Sequence, residues 1–241
     1  MHGKTMTKAI LPICTFLFLA ASTQAQSTSG QPVRLGIKAA PNLAWVKSDT
    51  KELEGDGMKF GFLFGLMSDF RLGSDNYALS TGLFMNVTGA NMQSRSFDGV
   101  DGNGNTVKVD QPLAFSYKYQ FVEVPITIKL KTNEIGYMTY FGTLGFGSAY
   151  NVSAKGDEYS FNDSQGIERE EDANVLKEMA VFRASLIVGA GLEYNIAGNT
   201  SIMAGINYNN SFTDVFDKSE MLGVEQHGKL HYLELNFGVF F

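Results

Sequence analysis

From Val33 to the last residue, apolar side chains fall on every second position in one segment after another. Val33, Leu35, Ile37 and Ala39 alternate with Arg34, Gly36, Lys38 and Ala40. Phe60, Phe62, Phe64 and Leu66 alternate with Gly61, Leu63, Gly65 and Met67, and the second series runs on into Asp69 and Arg71. Phe182, Ala184, Leu186, Val188, Ala190, Leu192 and Tyr194 alternate with Arg183, Ser185, Ile187, Gly189, Gly191 and Glu193. A period of two is the signature of strands with two unlike faces. The pattern predicts strands over 33–40, 60–71, 77–88, 122–131, 138–147, 182–194, 201–209 and 232–241. Tilted strands of about 9–11 residues suffice to cross a bilayer, whereas a helix needs about 20 apolar residues, a length no stretch after Ala25 approaches.

Two places disturb the pattern. Phe115, Tyr117, Tyr119 and Phe121 share a face with Glu123 and Lys129. A bulge near Tyr119 reconciles them, and so does an upper section standing clear of the membrane. Pro125 lacks an amide donor and is expected at an irregularity.

The connections alternate in length. Lys47–Gly57, Gln93–Pro112, Ser153–Ala173 and Ser211–Gly228 are long; Gly73–Asn76, Thr132–Gly136 and Asn195–Asn199 are short. Tight periplasmic turns and extended extracellular loops give a membrane barrel this asymmetry. Within lipid every backbone group must be paired internally, so a spanning sheet has to close on itself. The expectation is an all-β fold: an eight-stranded antiparallel up-and-down transmembrane β-barrel, OmpX/OmpA-like in form, in the cell outer membrane. Eight strands enclose an interior just filled by side chains. The inward face offers Asp69, Arg71, Glu123, Lys129, Arg183, Glu193 and Glu234, which predicts a structural network of paired charges and a packed polar interior rather than an open pore. A lipocalin-like soluble barrel would invert this arrangement.

The N-terminus reads as a cleaved export signal. Lys4 and Lys8 precede an apolar run from Ala9 to Ala21, and Ser22-Thr23-Gln24-Ala25 suits a cut after Ala25. Residues 1–25 are therefore expected to be the signal peptide and 26–241 the barrel domain. Cys14 lies within the apolar run after Ile13, which is the wrong place for a lipid anchor, and the mature chain then has no cysteine. The whole chain holds 19 Lys and Arg against 25 Asp and Glu; losing Lys4 and Lys8 leaves 17 against 25, a formal charge of −8. An acidic chain without basic clusters speaks against nucleic acid as a partner.

Chemistry-bearing motifs are sparse. His227 and His231 are the histidines after residue 25, placed in a loop and on the last strand. Neither belongs to an H-E-x-x-H or G-x-S-x-G pattern, so no catalytic residue, cofactor or metal site is predicted. The acidic run Asp157, Glu158, Asp163, Glu168, Glu170, Glu171 and Asp172 matches no calcium loop and reads as a solvated charge run. Asp98–Asn105 reads as a hairpin tip, its glycine misplaced for calcium. Trp45 and the tyrosines near strand ends are candidate interface anchors.

The closing strand, Lys229–Phe241, resembles the C-terminal signal read by the outer-membrane barrel assembly machinery, with Phe241 as its terminal aromatic. Gly36–Asn42, Tyr77–Leu83 and Val122–Lys131 resemble segments of the PorT-family barrels of the Bacteroidetes, over nearly the whole mature chain. That resemblance implies an outer-membrane barrel; its namesake's association with protein secretion rests on no residue motif present here. Three functions are weighed: a non-enzymatic, monomeric barrel that contacts lipid and acts through its extracellular loops; an accessory barrel in secretion or small-solute transport; and a hydrolase or acyltransferase with a rim cluster of Ser or Asp around His231.

Overall fold

A computed structural model describes residues 32–100, 106–162, 166–217, 220–221 and 224–241. The expected signal segment lies outside the described residues. The strands are β1 (Val33–Ser48), β2 (Leu53–Gly55), β3 (Lys59–Arg71), β4 (Tyr77–Ser94), β5 (Phe97–Val100), β6 (Thr106–Val109) and β7 (Ala114–Lys131). They continue as β8 (Met138–Asn162), β9 (Gly166–Asn174), β10 (Phe182–Ala197), β11 (Thr200–Ser211), β12 (Glu220–Met221), β13 (Val224–Glu225) and β14 (Gly228–Phe240).

The barrel is a closed ring of eight antiparallel strands in the order β1-β3-β4-β7-β8-β10-β11-β14, with β14 returning to β1. Closure pairs Gly36 with Phe240 at one end of the seam and Ser48 with Gly228 at the other. No sheet edge is left at that seam to recruit another chain. The short turns follow β3, β7 and β10, and Gly73 and Gly198 take φ of 76° and 57° there, a backbone region that favours glycine.

The long connections contain more strand than the alternation predicts. Ser153–Ala173 is largely a hairpin, with β8 running on to Asn162 and β9 returning beside it. In that hairpin Glu171 and Asp172 together face Asp157, a bulge in which Asp172 has φ of 55°. Gln93–Pro112 contains the β5–β6 hairpin, whose tip at 101–105 lies outside the described residues. Continuous pairing satisfies these backbones where a loop would need water or side-chain partners.

Orientation settles which solvent each face meets. Leu235, Phe237, Val124 and Ile126 are 48%, 55%, 37% and 56% exposed, whereas Glu193, Arg183 and Glu234 are 5%, 2% and 3% exposed. The apolar series points out and the charged series points in. Tyr77, Tyr137, Tyr140 and Tyr194 lie exposed near the short turns, and Phe60, Tyr150, Phe182 and Phe212 at the opposite end. These are the two aromatic girdles of a transmembrane barrel.

The two irregularities resolve differently. β7 keeps one phase from Phe115 to Lys129, with all of Phe115, Tyr117, Tyr119 and Phe121 buried inward. A bulge does occur, but on β8: Gln120 pairs with Ser153 and Phe121 with Asn151, leaving Val152 extra. It cannot change the phase of β7. At Pro125 the β4–β7 register skips Gly82 and Leu83, and Thr81 Oγ1 instead donates to the Pro125 carbonyl at 2.7 Å.

Candidate functional site

The barrel interior is built in layers, each strand contributing one inward residue in two. Nearest the short turns, Lys129 Nζ donates to Asp69 at 2.7 Å and to Glu193 at 2.9 Å. Arg34 reaches Glu193 from β1 at 2.7 Å and also bonds Ser201, and Lys131 stands 3.6 Å from Asp69 and 3.7 Å from Glu193. Phe240 and Phe141 floor this layer, the Lys129 ammonium lying 4.8 and 4.7 Å from their ring centres. Cations on aromatic faces gain further stabilisation when water is excluded.

In the next layer Lys38 pairs with Glu234 at 3.3 Å, and Asn207 donates to the same carboxylate at 2.6 Å. Above it Glu123 accepts from Arg183, from Tyr232 Oη at 2.9 Å and from Asn86 at 2.9 Å; Asn42 in turn donates to Asn86 at 3.0 Å. Buried charges persist where geometry and further hydrogen bonds compensate their lost hydration. A cavity of about 80 Å³ remains, lined in part by Lys38, Thr127, Asn209 and Asn236. That suits a few water molecules.

Over the ionic layers lies an apolar plug. Phe115, Tyr117, Tyr119 and Phe121 form a ladder with centroid spacings of 6.4, 6.2 and 5.8 Å. Val175, Met179, Val215 and Phe216 fold in from the long connections to cover it. Tyr117 Oη donates to Gln226 at 3.1 Å, and the Phe216 ring meets Tyr117 edge-on at 5.6 Å. Arg183 joins the two regions, its guanidinium 4.9 Å from the Phe121 ring centre.

Of the residues anticipated for the interior network, Asp69, Glu123, Lys129, Arg183, Glu193 and Glu234 are buried and hydrogen-bonded there. Arg71 is not. It stands at the end of β3 beside the turn and pairs with Asp75 at 2.8 Å, because the chain reaches water one step below Asp69. Arg34, Lys38 and Lys131 occupy the cation positions that the sequence reading passed over. The signal was available: Arg34 and Lys38 alternate with the outward Val33, Leu35 and Ile37, and Lys131 follows Lys129 by two. Tyr232, Asn42 and Asn86 were not distinguishable, since only the fold shows which polar residue stands beside Glu123.

The histidines separate. His231 faces outward between Trp45 and Tyr208, at 6.0 and 6.3 Å between ring centres, and shares a 3.2 Å hydrogen bond with Tyr208. Ser48 and Asp49 line the same cleft as His231, but Ser48 Oγ donates to the Thr50 and His227 carbonyls and Asp49 accepts from Lys229. His227 instead meets Asp214 at 2.9 Å, and Asp214 also caps the Gly228 and Phe216 amides at 2.8 and 3.2 Å. That geometry ties a loop. In the acidic hairpin, Asp157 is engaged by Arg169 and by the Ser116 amide at 2.8 and 2.9 Å, and Asp172 by Lys118 at 2.8 Å. Phe241 is outward and 59% exposed, and its amide donates to Leu35 at 2.9 Å.

The family model described as outer membrane protein beta-barrel domain matches residues 24–217. No curated protein matches the sequence significantly. Among solved structures, the Neisserial surface protein A is 12% identical, with a TM-score of 0.45, over 87% of this chain and 96% of that one. The attachment invasion locus protein Ail of Yersinia pestis is 20% identical, with a TM-score of 0.36, over 87% and 97%. OprG of Pseudomonas aeruginosa is 11% identical, with a TM-score of 0.43, over 86% and 95%.

Proposed function

The chain belongs to the outer membrane protein beta-barrel domain family, and from that premise we propose that it is a non-enzymatic, monomeric barrel acting through its extracellular face. The supporting observation is the filled interior. Ionic layers below and an aromatic plug above leave a cavity of about 80 Å³ between them, which supports a role other than solute passage. The surface presented outward is the β8–β9 hairpin, the β5–β6 hairpin and the covers around Phe216. Export by the N-terminal signal of residues 1–25 and insertion by the barrel assembly machinery through the Phe241 terminus complete the reading.

Reconstitution into planar bilayers tests it. The barrel should give no stable open-channel conductance, and liposomes carrying it should not swell in small sugars. A reproducible conductance that admits such solutes would sink the proposal.

The similarity of Gly36–Asn42, Tyr77–Leu83 and Val122–Lys131 to PorT-family barrels of the Bacteroidetes favours one second reading, an accessory role in protein secretion. A deletion strain distinguishes the two. Loss of secreted proteins from the medium with an intact envelope supports secretion, and unchanged secretion supports the loop-mediated role.

A further inference from the structure

Just above the apolar belt, the outer surface carries like charges directly opposite each other. Lys47 of β1 is registered against Lys229 of β14. Such cross-strand pairs are destabilising unless something negative lies between them. Lys229 is paired with Asp49 at 2.7 Å. Lys47 has no ion-pair partner among the described residues and is exposed.

The two lysines border an open cleft of about 900 Å³, whose charged lining is Lys47, Lys51, Arg95, Lys229, Asp49 and Glu54, with His231 at its floor. Arg95 is held by Glu54 at 2.7 Å. With Asp49 paired to Lys229 and also attracting Lys47, and Glu54 paired to Arg95, the cleft's four cations outnumber its two carboxylates by two, on a chain whose formal net charge is −6. The floor is aromatic: Trp45 stacks on Tyr208 and His231 at 6.1 and 6.0 Å. Directly below, Leu43, Leu233 and Leu235 continue the lipid-facing surface. Read upward, the wall offers hydrocarbon, then flat rings, then ammonium groups.

That order matches an acylated sugar bearing a phosphate. We propose that this cleft binds the phosphorylated headgroup of an outer-leaflet glycolipid. The acyl chains lie along Leu43 and Leu233, a sugar ring packs on the Trp45 stack, and the phosphate sits between Lys47 and Lys51. Two ammonium groups supply the attraction to the phosphate, so losing both should weaken binding by roughly tenfold or more.

Trp45 is the protein's one tryptophan, so its fluorescence reports on the cleft itself. The full barrel in phosphatidylcholine vesicles is titrated with diphosphoryl lipid A, with its dephosphorylated form, and with inorganic phosphate. The phosphorylated lipid should produce a saturable emission change, at least tenfold weaker in Lys47→Glu/Lys51→Glu and intermediate in Lys47→Gln/Lys51→Gln. Lys118→Glu/Lys155→Glu, which alters the other registered lysine pair, should bind as the parent does. Heat-modifiable migration confirms that each variant is folded. An equal response to the dephosphorylated lipid, or unchanged binding in both Lys47/Lys51 variants, overturns the proposal. Inorganic phosphate acting alone at the same concentration reassigns the cleft to a free anion and likewise overturns it.

Discussion

Below Val122, β7 turns Lys129, Thr127 and Glu123 into the barrel and Leu130, Ile128, Ile126 and Val124 out of it. Above Val122, the same strand turns Phe121, Tyr119, Tyr117 and Phe115 inward and Gln120 and Lys118 outward. The alternation is unbroken; only the chemistry of the two faces is exchanged. β1 makes the same exchange between Leu43 and Lys47, β4 between Val87 and Gln93, and β14 between Leu233 and Lys229. Register carries it round the wall, since Val87 faces Gln120 and Lys47 faces Lys229. The lower region is a membrane protein and the upper region a water-soluble barrel, built on the same strands. What fixes the inside is the outside: hydrocarbon takes the apolar residues, and the polar set is then confined to a sealed lumen. In water the ordinary core returns.

The largest expected effect tests the lower interior. Arg183→Met leaves Glu123 buried without its cation and should cost about 3–5 kcal/mol in denaturant unfolding from lipid vesicles. Adding Glu123→Gln should recover most of that loss, because the amide still accepts from Tyr232. A single variant as stable as the parent would show that the lower charges are not mutually dependent.

Tyr119→Ala removes the centre of the upper plug and should cost about 3–5 kcal/mol locally. Limited proteolysis should then cut the upper strands while the heat-modifiable band persists. Simultaneous loss of both would break the division into two regions.

The outer face should respond in steps. Ile126→Arg is expected to cost about 2–4 kcal/mol and Gln120→Arg only about 0–1, as depth-dependent insertion predicts. Equal costs would move the boundary away from Val122.

The smallest effect concerns the hairpin. Hydrogen bonding and attraction from Lys118 hold the Asp172 carboxyl below its ordinary value of 3.8. A depressed folded value means the contact contributes fully above that ordinary value and is lost as pH falls through the lower one. Protection of the β8–β9 amides, each measured against its intrinsic exchange rate at that pH, should be lower near pH 3 than at pH 7, by a modest factor since both groups are exposed.

Much of this was legible beforehand because it is periodic. The strand phases, the ring of eight, the short turns and the inward placement of Asp69, Glu123, Lys129, Arg183, Glu193 and Glu234 follow from alternation. Arg71 did not follow, since parity gives a face but not a depth, and two residues beyond Asp69 β3 ends in water. The strands hidden in the long connections were also missed. Glu168–Asp172 is an exposed charged run, four acids and Arg169, and carries no apolar alternation to read. The carboxylate that meets a histidine side chain at hydrogen-bond distance is Asp214, thirteen residues from His227, whereas His231 bonds Tyr208.

The sequence by itself determined the side to which each residue points, because a pleated strand allows only two and burial distinguishes them. Tertiary structure alone decided which residues meet across the lumen, at what height the two faces exchange character, and which lysines come to stand side by side. Those depend on the stagger between strands far apart in the chain, and that stagger is set by closing the ring.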